Sequence, residues 1–327
     1  MSKKRLPIVL ITHTLPEDWI TSLKNRCNIY IGPHDATELD PSLLKILPQA
    51  EGLFTLLTIP ITEATLNKAP MLRVISNMAV GVDNIDITAC TLRNIPVGNT
   101  PGVLTESTAD LTMALLLSMA RNIPRASLDA REGRWKTWSP AGWLGTELNG
   151  STLGIIGMGK IGKAVAKRAM GFGMKILFTD LNVVTYINAT QVPLNELLNN
   201  SDFISLHAPL SEETRGMINE NSFSMMKPTA ILINAARGPL VDTSALMNTL
   251  QNHRIAAAAL DVTDPEPLPP THPLYQLPNC LIVPHIGSAT QLTRRMMAEL
   301  ACENLLAGLN GDRLPHCVNP EIYSSYD

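Results

Sequence analysis

Short apolar runs recur along this chain, and longer amphipathic stretches separate them. In the first hundred residues, Ile8 to Ile11, Cys27 to Ile31, Gly52 to Thr55, Arg73 to Ser76 and Pro96-Val97 read as strands. The stretches 16–25, 41–47, 62–68 and 85–93 have helical patterning, so this part reads as an α/β unit with a parallel sheet. Asn99-Thr100-Pro101-Gly102 is a linker signal. Ser107-Thr108-Ala109-Asp110 then resembles a capping pattern at the start of a helix whose segment 111–120 is apolar all round. Such a helix is buried, in a core or a subunit interface. It falls short of the roughly 20 residues that span a bilayer.

The second half repeats the alternation. Thr152 to Ile156 is a strand, 163–172 an amphipathic helix, and Lys175 to Thr179 a second strand ending at Asp180. Phe203 to Leu206, Ala230 to Ile233, Ala256 to Leu260 and Leu281 to Val283 are further runs of strand length. That predicts six strands, the count of a doubly wound dinucleotide fold. Leu292, Met296 and Leu300 recur at helical spacing within one long helix over 289–309, which Gly308 and Gly311 are expected to close. Glycine-rich junctions at both edges suggest that the middle of the chain is an inserted domain. The first domain would be completed by the C-terminal helix, with a cleft between the two.

Length and composition narrow the class. At 327 residues the chain exceeds what one core usually serves, so two domains are expected. It is 45% hydrophobic and 17% charged with a net charge of −3, which supplies neither a nucleic-acid footprint nor a polybasic membrane patch. The basic start Met1–Pro7 precedes an apolar run too short for a signal-peptide core. Cys27, Cys90, Cys280, Cys302 and Cys317 show no C-x-x-C and no metal-like pairing, and read as reduced, mostly buried thiols. A cytoplasmic protein with no metal, nucleic-acid or membrane partner is the simplest expectation.

Between the first two strands of the second half lies Gly157-Met158-Gly159-Lys160-Ile161-Gly162, a G-x-G-x-x-G. In a strand–turn–helix the first glycine makes the tight turn, the second lets backbone approach a pyrophosphate, and the third lets helix pack on strand. The helix N-terminus adds free N–H groups and partial positive charge. Asp180, at the second strand end, would accept hydrogen bonds from the adenosine ribose. A carboxylate there repels a 2′-phosphate, which favours NAD over NADP. The same context also suits S-adenosylmethionine enzymes, so the reaction must be read elsewhere.

Ligands of open α/β sheets bind beyond the carboxyl ends of the strands. Those ends carry His207, then Asn234-Ala235-Ala236-Arg237-Gly238, then Asp261-Val262-Thr263-Asp264-Pro265-Glu266-Pro267, then Pro284-His285-Ile286-Gly287-Ser288. Singly, Arg237 reads equally as a surface charge, Glu266 as a solvated acid and His285 as a structural cap. Jointly they supply the parts for hydride transfer to a 2-keto acid. A guanidinium grips the carboxylate through two parallel hydrogen bonds. A histidine gives a proton to the carbonyl oxygen, and a glutamate holds the histidine. In the first unit, the loop Asn77–Asp83 either presents backbone N–H groups to an anion or is a plain connection. Trp135, Trp138 and Trp143 sit in a loop-like stretch, as a candidate subunit interface or as aromatics folded back on their own domain.

These motifs together resemble the D-2-hydroxyacid dehydrogenase family over nearly the whole chain. The similarity is greatest to its glyoxylate/hydroxypyruvate reductase branch, extending through Met78–Asp83, Trp135–Trp138, Leu260–Pro269 and His285–Thr290. The resemblance implies an α/β fold of two Rossmann-like doubly wound parallel-sheet domains. A dinucleotide-binding domain (102–288) would be inserted into a flavodoxin-like substrate domain (1–101 and 289–327). It implies His285 as proton donor, Glu266 as its partner, and Arg237 as carboxylate clamp. Val80 and Gly81 N–H groups would hold the other side of the carboxylate. Gly157, Gly159, Lys160, Ile161 and Gly162 would take the pyrophosphate and Asp180 the ribose. Thr108, His207, Pro209, Ala235, Asp261 and Gly287 would line the adenine and nicotinamide. It further implies a homodimer in which Trp138 reaches the neighbour's substrate pocket.

One departure from the branch bears on the cofactor. Its NADPH-using members carry arginine or small residues where Asp180 stands, and Leu181-Asn182 supplies no positive charge. The expected cofactor is therefore NADH. Two alternatives resemble the chain less. Phosphite dehydrogenase shares an Ala89-Cys90-Thr91-like region but places lysine at Val80, and NAD-sensing corepressor-type proteins carry longer tails.

Overall fold

The computed structural model describes residues 5–326, so most of the basic N-terminal start lies outside the described residues. The chain divides into two units, 1–104 with 290–327, and 105–289. The first unit opens with β1 (Ile8–Ile11), β2 (Asn28–Ile31), α1 (Pro41–Ile46), β3 (Gly52–Thr55), α2 (Glu63–Asn67), β4 (Val74–Asn77), α3 (Ile87–Leu92) and β5 (Val97–Gly98). Asp40, Thr62 and Asp86 cap the three helices through their side chains. The stretch 16–25, expected as one helix, instead forms two 3-10 turns, Glu17–Trp19 and Thr21–Leu23. Its Thr21 hydroxyl donates to the carbonyls of Glu17 and Asp18 at 3.2 Å, and only Ile20 and Leu23 are buried anchors.

The second unit follows with α4 (Thr105–Ala120), α5 (Ile123–Arg131), β6 (Thr152–Ile156), α6 (Lys160–Gly171), β7 (Lys175–Thr179), β8 (Ala189–Gln191), α7 (Leu194–Asn200), β9 (Phe203–Leu206), α8 (Glu220–Met225), β10 (Ile231–Asn234), α9 (Thr243–Gln251), β11 (Ala257–Leu260) and β12 (Cys280–Ile282). α4 begins two residues before Ser107, so that serine lies within the first turn rather than at its cap. The chain then returns to the first unit as α10 (Gln291–Asn310). Gly311, at φ 85°, closes this helix. Gly308 does not. It lies inside the helix, where a Cβ would sit 2.5 Å from Val74 Cγ2, so its role is close packing on β4.

Both sheets are wholly parallel. The first runs β2-β1-β3-β4-β5, which is the flavodoxin-like order. The second runs β12-β11-β10-β9-β6-β7-β8, the doubly wound dinucleotide order with a seventh strand. Its switch point lies between β6 and β9. The six expected strands are present, and β8 is the addition. Ala189-Thr190-Gln191 has no apolar run to announce it, and as the edge strand it pairs with β7 alone among the described residues.

Strands in such sheets are buried on both faces. In the first unit, Leu10, Leu53 and Ile75 face one core with Leu43 and Leu66. Val9, Phe54 and Val74 face the other, against Ala301 and Leu305 of α10. In the second unit, Leu153, Ile155 and Phe178 pack against α4 and α6, while Ile204, Leu206 and Leu232 pack against Leu197, Phe223 and Leu246. The five cysteines are free thiols. Burial pushes those of Cys90, Cys280 and Cys302 up to about 12 and raises those of Cys27 and Cys317. Among the described residues no helix is long and apolar enough to cross a membrane.

Candidate active site

The glycine turn lies at the carboxyl end of β6, beside the switch point. Gly157 has φ 95°, and a Cβ there would lie 2.7 Å from His207 and Ala208 backbone. At Gly162 a Cβ would meet Gly157 O at 2.1 Å, so only glycine lets α6 approach the turn. Gly159 is different: a Cβ there would meet nothing within 4 Å. Its side of the loop is open, and α6 starts at Lys160 without a side-chain cap. The first N–H groups of that helix, including those of Lys160 and Ile161, thus keep their capacity for an anion. Asp180 follows β7, and its carboxylate accepts the N–H of Met158 at 2.8 Å and of Asn182 at 3.0 Å. Beyond β9, His207 Nε2 meets Ser205 Oγ at 2.8 Å, while Nδ1 is buried without a hydrogen-bond partner. Burial lowers this histidine to about 4, so it is neutral at physiological pH. An open glycine, an uncapped helix start and an acid at the second strand end fit a dinucleotide.

Arg237, Glu266 and His285 follow β10, β11 and β12, three strands adjacent in the sheet. Asn234, the last residue of β10, organises the Arg237 turn: its side chain donates to Arg237 O at 2.8 Å and accepts from Ala236 N–H at 3.1 Å. The turn abuts the Glu266 loop so closely that a Cβ on Gly238 would lie 1.9 Å from Thr263 O. Thr243 donates to Asp264 O at 2.8 Å, and the Thr263 N–H reaches Glu266 Oε2 at 3.4 Å. Glu266 Oε1 and His285 Nδ1 are 2.5 Å apart, in direct hydrogen-bond contact.

His285 adopts φ 51°, a left-handed conformation costly for a side chain with a Cβ. Asp261 holds it there. The His285 N–H donates to Asp261 O at 2.9 Å, and Ile286 and Gly287 N–H groups donate to the two carboxylate oxygens at 2.6 and 2.8 Å. Thr108 of α4 donates to Gly287 O at 3.3 Å on the same loop. Burial raises the Asp261 pKa despite those N–H donors. Pro209 is exposed after β9 and Ala235 half-buried after β10.

A profile of the D-isomer specific 2-hydroxyacid dehydrogenase NAD-binding domain matches residues 113–287. The chain belongs to that family. A glyoxylate reductase of Korarchaeum cryptofilum is 44% identical over 97% of both chains, and one of Thermococcus litoralis is 44% identical over 98% of both. A Thermus thermophilus protein of known structure superposes with a TM-score of 0.90 at 47% identity, covering 95% of this chain and 99% of its own. This dehydrogenase is accordingly an oxidoreductase acting on CH–OH donors, and its second unit binds a nicotinamide dinucleotide.

Two predicted site residues of the dehydrogenase lie in the first unit, in the loop after β4. Val80 and Gly81 N–H groups have no acceptor among the described residues. Trp138, in the loop after α5, is 80% exposed, and Trp135 is 62% exposed. Trp143 instead folds back, donating its indole N–H to Asp129 at 2.8 Å. Residues missed from the sequence are those that hold others. Asn234 and Thr263 shape the arginine and glutamate turns. Gln191 of β8 donates to Asn182 O at 2.8 Å and accepts from Val184 N–H at 3.0 Å, fixing the loop after Asp180. Asparagines at strand ends were the available signal, because a side-chain amide there commonly bonds local backbone.

Proposed function

We propose that this dehydrogenase reduces a small 2-keto acid, glyoxylate or hydroxypyruvate, with NADH. The 2.5 Å contact between His285 Nδ1 and Glu266 Oε1 carries the reading, supported by relatives named glyoxylate reductase. When bound, the reduced nicotinamide supplies the hydride. Arg237 grips the substrate carboxylate through its guanidinium, and the Val80 and Gly81 N–H groups are donors suited to a carboxylate. Glu266 occupies Nδ1 of His285, which leaves Nε2 to deliver a proton to the carbonyl oxygen as the carbonyl carbon is reduced. The negative Glu266 stabilises the imidazolium before transfer and fixes the ring. Lys160, Ile161 and the three glycines take the pyrophosphate, and Asp180 the ribose hydroxyls. Thr108, His207, Pro209, Ala235, Asp261 and Gly287 line the base and nicotinamide.

The preference for NADH is supported by Asp180 and by the absence of lysine and arginine from residues 181–191. A homodimer is supported by the apolar exposure around α5, where Ile123, Leu128, Trp135, Trp138 and Leu144 face outward and a cavity of about 330 Å³ lies beside Trp138. We place Trp138 at the neighbour's substrate pocket. Free thiols support a cytoplasmic setting. The test is a panel of 2-keto acids with NADH and NADPH, followed by loss of the reduced nicotinamide's near-ultraviolet absorbance. Rapid turnover of glyoxylate or hydroxypyruvate with NADH is expected, and no turnover of any 2-keto acid refutes the reading.

A further inference from the structure

Three successive carbonyls in the loop that presents Val80 and Gly81 are taken by donors. Ala79 O accepts from the Thr100 N–H at 2.8 Å, Val80 O from Asn99 Nδ2 at 2.8 Å, and Gly81 O from Asn77 Nδ2 at 2.9 Å. A trans peptide is planar, and its C=O points opposite to the N–H of the next residue. Holding Ala79 O therefore aims the Val80 N–H, holding Val80 O aims the Gly81 N–H, and holding Gly81 O aims the Val82 N–H. Those three N–H groups have no acceptor among the described residues. The donors are themselves anchored. The Asn99 N–H bonds His316 O at 3.2 Å, and Asn99 O accepts from Asn304 Nδ2 of α10 at 2.9 Å. Asn304 is fully buried and also takes the His316 N–H at 3.0 Å. Gly98 is needed for this contact, since a Cβ there would lie 2.7 Å from Asn304. Asn77 donates to Asn84 Oδ1 at 3.1 Å, and Asn84 in turn donates to the carbonyls of Leu56 and Ile59 at 3.1 and 3.0 Å.

We propose that Asn99 and Asn77 are positioning residues for the substrate: by clamping the carbonyls of Val80 and Gly81 they aim a row of backbone N–H groups at the incoming carboxylate. The inference rests on the assignment of that loop to the 2-keto acid. Without the Asn99 donor, the Val80–Gly81 peptide can rotate, and the carboxylate loses a pre-aimed partner. Cofactor affinity, set in the other unit, is untouched. The device therefore acts on substrate binding more than on turnover.

The test uses the full-length protein and sodium oxalate as a carboxylate probe. Asn99→Leu removes the donor at similar volume and without adding charge, Asn99→Ser keeps the test open should the leucine variant fail to fold, and Asn99→Gln restores an amide. Calorimetric titration of oxalate into the NADH complex should show binding weakened about five- to tenfold in the leucine and serine variants, the scale of one neutral hydrogen bond. The KM for glyoxylate should rise by the same factor, kcat should stay within about twofold, and the glutamine variant should recover part of the loss. The NADH dissociation constant, read by fluorescence, should be unchanged. Unchanged oxalate binding with a lowered melting temperature would make Asn99 merely structural and overturn the proposal. Equal losses of oxalate and NADH affinity would overturn it too. If the unsubstituted protein binds NADH but neither oxalate nor any 2-keto acid, the assignment of the loop fails and the inference falls with it.

Discussion

The Asp180→Asn substitution separates charge from hydrogen bonding at the residue we propose to read the cofactor's ribose. Its two oxygens accept the N–H groups of Met158 and Asn182, so asparagine keeps one acceptor and loses the other along with the charge. A 2′-phosphate carries roughly −1.5 to −2 charge. At about 5 Å its repulsion by a carboxylate is roughly 1 kcal/mol in bulk water and about 5 kcal/mol at an effective dielectric of 20. Asp180 is half-buried, and salt screens what remains, so about 1.5–3 kcal/mol is the working figure. That corresponds to a rise of roughly 10- to 150-fold in the NADPH/NADH ratio of kcat/KM. The loss of one acceptor for the ribose hydroxyls lowers NADH affinity by about fivefold, which is why the ratio is the informative quantity. Gln191 still clamps Asn182 O and Val184 N–H, so the loop keeps its path and the charge is the main variable. Steady-state kinetics with both cofactors at low and high salt provide the assay. Wild-type discrimination should shrink as salt rises, while the variant's should stay flat. An unchanged ratio, or wild-type discrimination insensitive to salt, would refute electrostatic exclusion by Asp180.

Other substitutions probe the remaining parts of the site. His285→Ala removes the proposed proton donor and should lower kcat by about 10²- to 10⁴-fold; an equal loss of NADH affinity by fluorescence titration would contradict its assignment to the proton. Gly238→Ala would place a Cβ 1.9 Å from Thr263 O, pushing the Glu266 loop away from the arginine turn. Both the melting temperature and kcat should fall, and an unaltered kcat in a folded variant would show that the spacing is unimportant. His207 is lowered to about 4 by burial, so the unfolded chain binds its proton first as pH falls below about 6.5. Its contribution to stability is intact above that pH and is lost progressively toward pH 4, amounting to about 3 kcal/mol. His207→Gln should flatten this part of the stability–pH curve in denaturant titrations, and a slope identical to wild type would argue against a neutral buried imidazole.

The apolar runs of β1, β3 and β9 have the bounds expected from sequence, because strands of a parallel sheet are buried on both faces and read as uninterrupted hydrophobic segments. The glycine turn was legible for a related reason: positive φ at Gly157 and backbone contact at Gly162 are steric demands that only glycine meets. β8 and the split of 16–25 into 3-10 turns escaped notice, since neither carries a periodic pattern of its own. The residue types at the strand ends also came from sequence alone, and with them the family. The tertiary structure decided the partnerships. Glu266 meets His285 across 19 residues, Asp261 holds the same histidine from another strand, and Asn304 secures Asn99 from 205 residues away. Local preference and periodicity act through chain neighbours and are written in order along the sequence. A hydrogen bond between distant residues depends on where the packed sheets carry each backbone, and only the folded chain sets those positions.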